Sequence, residues 1–130
     1  MGKGLIIKPR VNIKYPWRLT IGNHVWIGES VWIDCLDEVT LADHVCLSQG
    51  AMLECGNHDY SRPSFDLITA PIHIEAGAWI GAKSFVGPGV RVGNHAVLAA
   101  GSVATSDLEA GFIYRGNPAI QVRQRVIEAR

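Results

Sequence analysis

The sequence predicts an all-β solenoid: a parallel β-helix of six-residue repeats, with one extruded loop and a short C-terminal cap. Three observations predict it. An aliphatic residue recurs every six positions, at Ile21, Ile27 and Ile33, at Leu41, Leu47 and Leu53, and at Ile74, Ile80, Val86, Val92 and Leu98. Four places after most of these stands a small or β-branched residue, as at Val25, Val31, Val45, Ala51, Ala78, Ser84, Val90, Ala96 and Ser102. Between the two recur Gly, Asn and Asp (Gly22-Asn23, Asp43, Gly93-Asn94), types that accept the left-handed backbone angles of a tight corner.

Each hexad is therefore a short strand with a corner. The period of two along a strand turns the aliphatic and the small residue to the same side, so both point inward. Three such strands close a triangular coil, and stacked coils pair every strand in parallel with its equivalent three hexads on. In chain order, Ile7 and Ile13 open the series, and nothing before Ile7 reads as a cap. Two-residue slips follow, between Ile13 and Ile21 and between Ile33 and Leu41, and small corner bulges are expected to absorb them. The hexads then stop for NHDYSRPSFDLITAP, about 57–71, a loop extruded from one corner, and resume at Ile74. After Leu98 the pattern decays, and about 107–130 reads as the cap a solenoid needs over its last coil, with a short helix expected from about Ile120.

A chain of 130 residues, 48% hydrophobic and 18% charged, fits one globular domain spanning 1–130. Its net charge is zero and its basic residues are scattered except near the C-terminus, so no electrostatic footprint for nucleic acid is present. No apolar run approaches the roughly 18 residues of a membrane-spanning helix, and the start MGKGLIIKPR is too short in apolar residues for a secretory signal; a cytoplasmic protein without membrane insertion is expected. Cys35, Cys46 and Cys55 lack close C-x-x-C pairing and read as small buried or half-buried residues.

A regular solenoid has no cavity, so chemistry belongs where regularity fails, in the loop or between subunits. The loop opens with His58, flanked by Asp59 and Tyr60. A neutral imidazole, with an ordinary pKa of roughly 6.5, takes a proton from a hydroxyl near neutral pH, which makes His58 the candidate general base. Asp59 either orients the ring or closes an Asx turn, and the sequence leaves both open. His24, His44 and His95 fall at corner positions and His73 on a strand edge, where structural roles suffice.

The run from Gly56 to Ala119, with its His loop, then GAWIG, then AAGSV, then GNPA, resembles the sugar O-acetyltransferases of the maltose and galactoside acetyltransferase group, and most of all those named for colanic acid biosynthesis. The resemblance covers nearly the whole chain and implies the left hand of the β-helix, which physics alone does not give, since parallel crossovers are right-handed in most sheets. It implies acetyl-CoA as acyl donor, His58 as general base, and a donor groove at Trp79, Gly81, Ala82, Ala100, Gly101 and Thr105. A basic residue often follows the Thr in such enzymes. Here Ser106 stands there, and Arg115, Arg123 and Arg125 are the alternative phosphate contacts.

The implied reaction is direct transfer of acetyl to a hydroxyl of a sugar or polysaccharide precursor, with backbone N–H groups near Gly81 on the oxyanion. Acceptor contacts are expected from Asp34 and Asp37, with Asn57, Asp59 and Tyr60 of the loop. Trp26 and Trp32 at outward positions expose aromatics that a homotrimer buries. Other readings are an amino-sugar N-acetyltransferase, a non-catalytic β-helix scaffold, and a zinc carbonic anhydrase of the same fold. The last needs an H-x-x-x-x-H pair, which the sequence lacks, and no metal is expected.

Overall fold

A computed structural model describes residues 2–128, so residues 1, 129 and 130, including the last two of the expected cap, lie outside the described residues. The chain is a left-handed parallel β-helix of triangular section with three faces. The first face stacks Ile6–Ile7, Trp26–Ile27, Cys46–Leu47, Trp79–Ile80, Val97–Leu98 and Phe112–Gly116, all parallel. The second stacks Asn12–Lys14, Trp32–Asp34, Met52–Glu54, Phe85–Val86 and Val103–Ala104. The third stacks Leu19–Ile21, Val39–Leu41, Ile72–Ile74 and Arg91–Val92, with Leu108 bridging Val92 above them.

The pairing register is the hexad register. Ile27, Leu47, Ile80, Leu98 and Tyr114 form one interior column, Ile33, Leu53, Val86 and Ala104 a second, and Ile21, Leu41, Ile74 and Val92 a third. All are buried. Burying a side chain of this size contributes roughly 1.5–3 kcal/mol, so the columns carry most of the stabilisation. The small residues four places on are buried too. Two of them are serines with their hydroxyls paired: Ser84 Oγ donates to the Ala99 carbonyl at 2.8 Å, and Ser102 Oγ accepts from the Gly116 N–H at 3.0 Å.

His24, His44 and His95 take positive φ of 58°, 61° and 60° and are exposed, as corner residues. The two slips do not disturb the strand ladders. The first is a 3-10 turn, Pro16–Arg18, with Pro fixing φ, and the second is a bend at residues 36–37; both lengthen the corner between the second and third faces.

Two features differ from expectation. The interruption after Cys55 is a two-stranded hairpin, in which Gly56–His58 runs antiparallel to Leu67–Thr69. The C-terminal end contains no helix at Ile120; Ala119–Gln124 turns back as an antiparallel strand on Phe112–Gly116. The reason is edge chemistry: the last strand of the first face presents unpaired N–H and C=O groups, and a returning strand satisfies them where a helix would not. Tyr114 then closes the core, its hydroxyl accepting from the Glu109 N–H at 2.9 Å and donating to Gln121 Oε1 at 3.0 Å.

Candidate active site

His58 sits on the outgoing strand of the hairpin, at the corner between the second and third faces. Its Nδ1 lies 2.9 Å from the Phe65 carbonyl oxygen, and its ring stacks on the Phe65 ring. A carbonyl only accepts, so Nδ1 is the donor, and in the neutral ring the lone pair is on Nε2. Phe65 reaches this place through a non-glycine positive φ of 51° at the hairpin end. The carbonyl contact left no sequence signal, because a backbone oxygen seven residues away is not marked by side-chain type.

Asp59 does not orient the ring. Its Oδ1 accepts from the Ser61 N–H at 3.1 Å and from the Ser61 hydroxyl, and its Oδ2 pairs with Arg62 at 3.5 Å, so it closes the Asx turn at the hairpin tip. Tyr60 is 86% exposed at the same tip. Asn57 Oδ1 accepts from the His58 N–H at 2.8 Å. The hairpin root and the coils above it enclose a cleft of about 340 Å³ lined by Gly56, Asn57, Phe85, Gly87, Pro88 and Thr105. Thr105 therefore belongs with the His58 corner.

Asp34 and Asp37 lie on the same corner. Asp37 Oδ2 accepts from Thr69 Oγ1 at 3.3 Å and its Oδ1 from the Glu38 N–H, which ties it to the returning strand of the hairpin. Asp34 is in register with Glu54 one coil on, and one Asp34 oxygen is buried without a partner. Glu54 was not singled out from the sequence. Burial and the neighbouring Asp34 carboxylate push its carboxyl above the ordinary range, against the pull of the Gly56 N–H on its Oε1. Only the register of adjacent coils brings the two carboxyls together.

The residues expected to form a donor groove sit elsewhere. A cleft of about 510 Å³ runs along the first face and its corner with the second, and Trp79, Gly81, Ala82 and Ala100 line it together with Ser48 and Ile113. Trp79 Nε1 donates to Ser48 Oγ at 2.8 Å, which fixes the indole at the cleft wall. Gly101 is exposed at φ 70° on the same corner, outside the cleft lining. Gly81 has a structural reason of its own: a Cβ there would stand 2.6 Å from Ala100 N and 2.7 Å from Leu98 O in the next coil. Its N–H is spent on the Leu98 carbonyl at 2.8 Å and is not available to an oxyanion, whereas among the described residues the amides of Ala82 and Ala100 donate to no other group.

Arg123 is in register with Ile113 and so shares the outer side of the first face with the cleft, while Arg115 is exposed opposite Ile120. Arg125 Nη1 donates to the Gly77 and His95 carbonyls at 3.0 and 3.1 Å, which clasps the terminal hairpin to the corner below it. The His58 corner and the Trp79 cleft thus flank the second face from opposite edges, roughly 15 Å apart at about 3.3 Å per residue. Among the described residues no group of three His, Cys, Asp or Glu side chains could hold a metal ion, and no helix is long and apolar enough to cross a membrane.

A β-helix of hexapeptide repeats with a histidine hairpin and an apolar corner cleft defines the class, and the family model described as "Bacterial transferase hexapeptide (six repeats)" matches residues 71–105. The chain belongs to the hexapeptide-repeat acetyltransferases. It is 39% identical over 126 residues to WcaF of Escherichia coli (strain K12), named as a colanic acid biosynthesis acetyltransferase, with 97% of this chain and 69% of the relative covered. It is 26% identical over 127 residues to galactoside O-acetyltransferase of the same organism, covering 95% and 63%. The crystal structure of a hexapeptide-repeat acetyltransferase from Vibrio cholerae in complex with acetyl-CoA superimposes with a TM-score of 0.91 at 27% identity, covering 98% of this chain and 71% of that one.

Proposed function

We propose that this protein transfers an acetyl group from acetyl-CoA to a hydroxyl of a sugar or polysaccharide precursor in the cytoplasm, working as a homotrimer with His58 as general base. The observation that carries the reading is the tautomer lock on His58. With Nδ1–H held by the Phe65 carbonyl, Nε2 is the free base.

Nε2 takes the proton of the acceptor hydroxyl as that oxygen attacks the thioester carbonyl. The carbonyl oxygen becomes an oxyanion, for which the undonated N–H groups of Ala82 and Ala100 are suited. Collapse expels the CoA thiolate, and the imidazolium at His58 returns the proton to sulfur. The apolar cleft beside Trp79 has the size and lining for a pantetheine arm, with Arg123 and Arg115 toward the phosphates.

Two groups separated by a full face of one prism meet only if a second prism brings its own hairpin to the cleft. Exposed apolar residues support that assembly: Trp26 and Trp79 on the first face are 41% and 45% exposed, and Phe65, Leu67 and Ile68 on the hairpin are 53%, 54% and 50% exposed. Asp34, Asp37, Asn57 and Glu54 lie on the acceptor side of the hairpin root.

Calorimetric titration with acetyl-CoA, with light scattering for assembly, tests the reading. One saturable site per chain in a trimer, followed by acetylation of a sugar panel that His58→Ala abolishes, is the expected result. A folded trimer that binds no acetyl-CoA overturns it.

A further inference from the structure

The corner between the first and second faces carries a second cleft, of about 270 Å³, that the reaction described above does not use. Four successive coils contribute to it: Arg10 from the first, Glu29 and Ser30 from the second, Gln49 and Gly50 from the third, Lys83 from the fourth. Backbone bonds hold these corners in a column, from Ser30 N–H to the Pro9 carbonyl at 3.2 Å, Gly50 N–H to Glu29 at 2.8 Å and Lys83 N–H to Gln49 at 3.0 Å. Arg10, Ser30 and Lys83 all adopt positive φ, of 61°, 62° and 56°.

The charges in the cleft do not cancel. Arg10 pairs with Glu29, whereas among the described residues Lys83 makes no ion pair. A Cβ on Gly50 would stand 3.2 Å from Lys83 Cγ, so the lysine stem runs over the bare glycine corner toward the earlier coils. One ammonium is left over in a cleft that Ser30 and Gln49 also line. That donor set suits an anion.

The position of the cleft suggests which anion. It shares Gln49 with the Trp79 cleft, so the two adjoin along one corner. On the donor placement proposed above, with the phosphates toward Arg123 at the cap end, the thioester end of the Trp79 cleft is the Gln49 end, and the second cleft lies next to it. We propose that this cleft is a subsite for an anionic substituent on the sugar acceptor, a carboxylate or a phosphate, with Lys83 as its main contact. The proposal rests on the transferase reading, and it names the acceptor class: acidic sugars in preference to neutral ones.

The test measures binding of three matched glycosides to the full chain, with and without CoA, by calorimetry: methyl β-glucoside, methyl β-glucuronide and methyl β-glucoside 6-phosphate. At low salt one or both charged glycosides bind about tenfold tighter than the neutral one, as a charge-assisted hydrogen bond in a partly shielded cleft supplies, and added salt erodes the advantage. Which of the two is preferred separates a carboxylate from a phosphate. Lys83→Met, which keeps an ordinary side chain at the same backbone angle, removes the advantage, and Glu29→Gln, which frees Arg10, increases it. Equal binding of charged and neutral glycosides, no saturable binding of either charged glycoside, or an advantage that survives Lys83→Met overturns the subsite. Acetyl-CoA binding without charge preference sinks the subsite alone. Failure to bind acetyl-CoA sinks the transferase reading, and the donor-free titration still decides the subsite.

Discussion

His58 and Phe65 face each other across the hairpin, with ring centroids 4.3 Å apart, planes 10° from parallel and Nδ1 2.9 Å from the Phe65 carbonyl. Ring and carbonyl of one residue thus fix both the plane and the tautomer of the base. His58→Ala is expected to lower kcat about 10²–10⁴-fold, the usual contribution of general-base catalysis, with acetyl-CoA affinity unchanged within about twofold. Steady-state kinetics beside calorimetry checks it; equal loss of binding and turnover would point to a collapsed hairpin.

Phe65→Ala leaves the carbonyl and removes the stacking ring. Because an aromatic pair contributes about 0.5–1.5 kcal/mol, kcat should fall severalfold rather than by orders of magnitude. A fall as large as that of His58→Ala would mean that the ring, not the carbonyl, sets the geometry.

Glu54 gives a pH dependence of stability. Its carboxyl is raised from the ordinary 4.5, chiefly by burial and further by Asp34, so the folded chain holds that proton more tightly than the unfolded one. The resulting penalty on the fold is absent below about pH 4.5 and grows as pH rises through the raised value. Glu54→Gln keeps an acceptor for the Gly56 N–H and should match the wild-type Tm at about pH 4 but exceed it by about pH 7. Thermal melts at both pH values decide it, and parallel Tm curves would contradict it.

Gly81→Ala drives a methyl group into the backbone of the next coil, with Ala100 N at 2.6 Å. A loss of about 1–3 kcal/mol is expected, the usual penalty for overpacking, read as a lower denaturant midpoint. An unchanged midpoint would show that the coils can part at no expense.

The buried thiols Cys35 and Cys55 are pushed up to about 12 and about 11, mainly by desolvation. In native protein at about pH 8 neither should react with a thiol reagent that labels all three cysteines after unfolding. Rapid labelling of Cys35 or Cys55 would reveal local opening at the hairpin root.

The sequence by itself determined the β-helix, because one inward position in every six must be aliphatic for coils to stack, and Ile27, Leu47, Ile80 and Leu98 declare that period without any knowledge of the fold. It also singled out His58, as the one histidine outside the hexads with polar neighbours, whereas Gly81, Ala82 and Ala100 of the corner cleft were marked only by the family resemblance. The tertiary structure alone decided what depends on register between coils or on backbone groups: the Phe65 carbonyl behind His58, the Asp34–Glu54 pair, the separation of Thr105 from the Trp79 cleft, and the strand in place of a helix at Ile120. Inward packing is written in side-chain type at a fixed period, whereas a carbonyl, an unpaired strand edge and the residue one coil away carry no mark in the linear order.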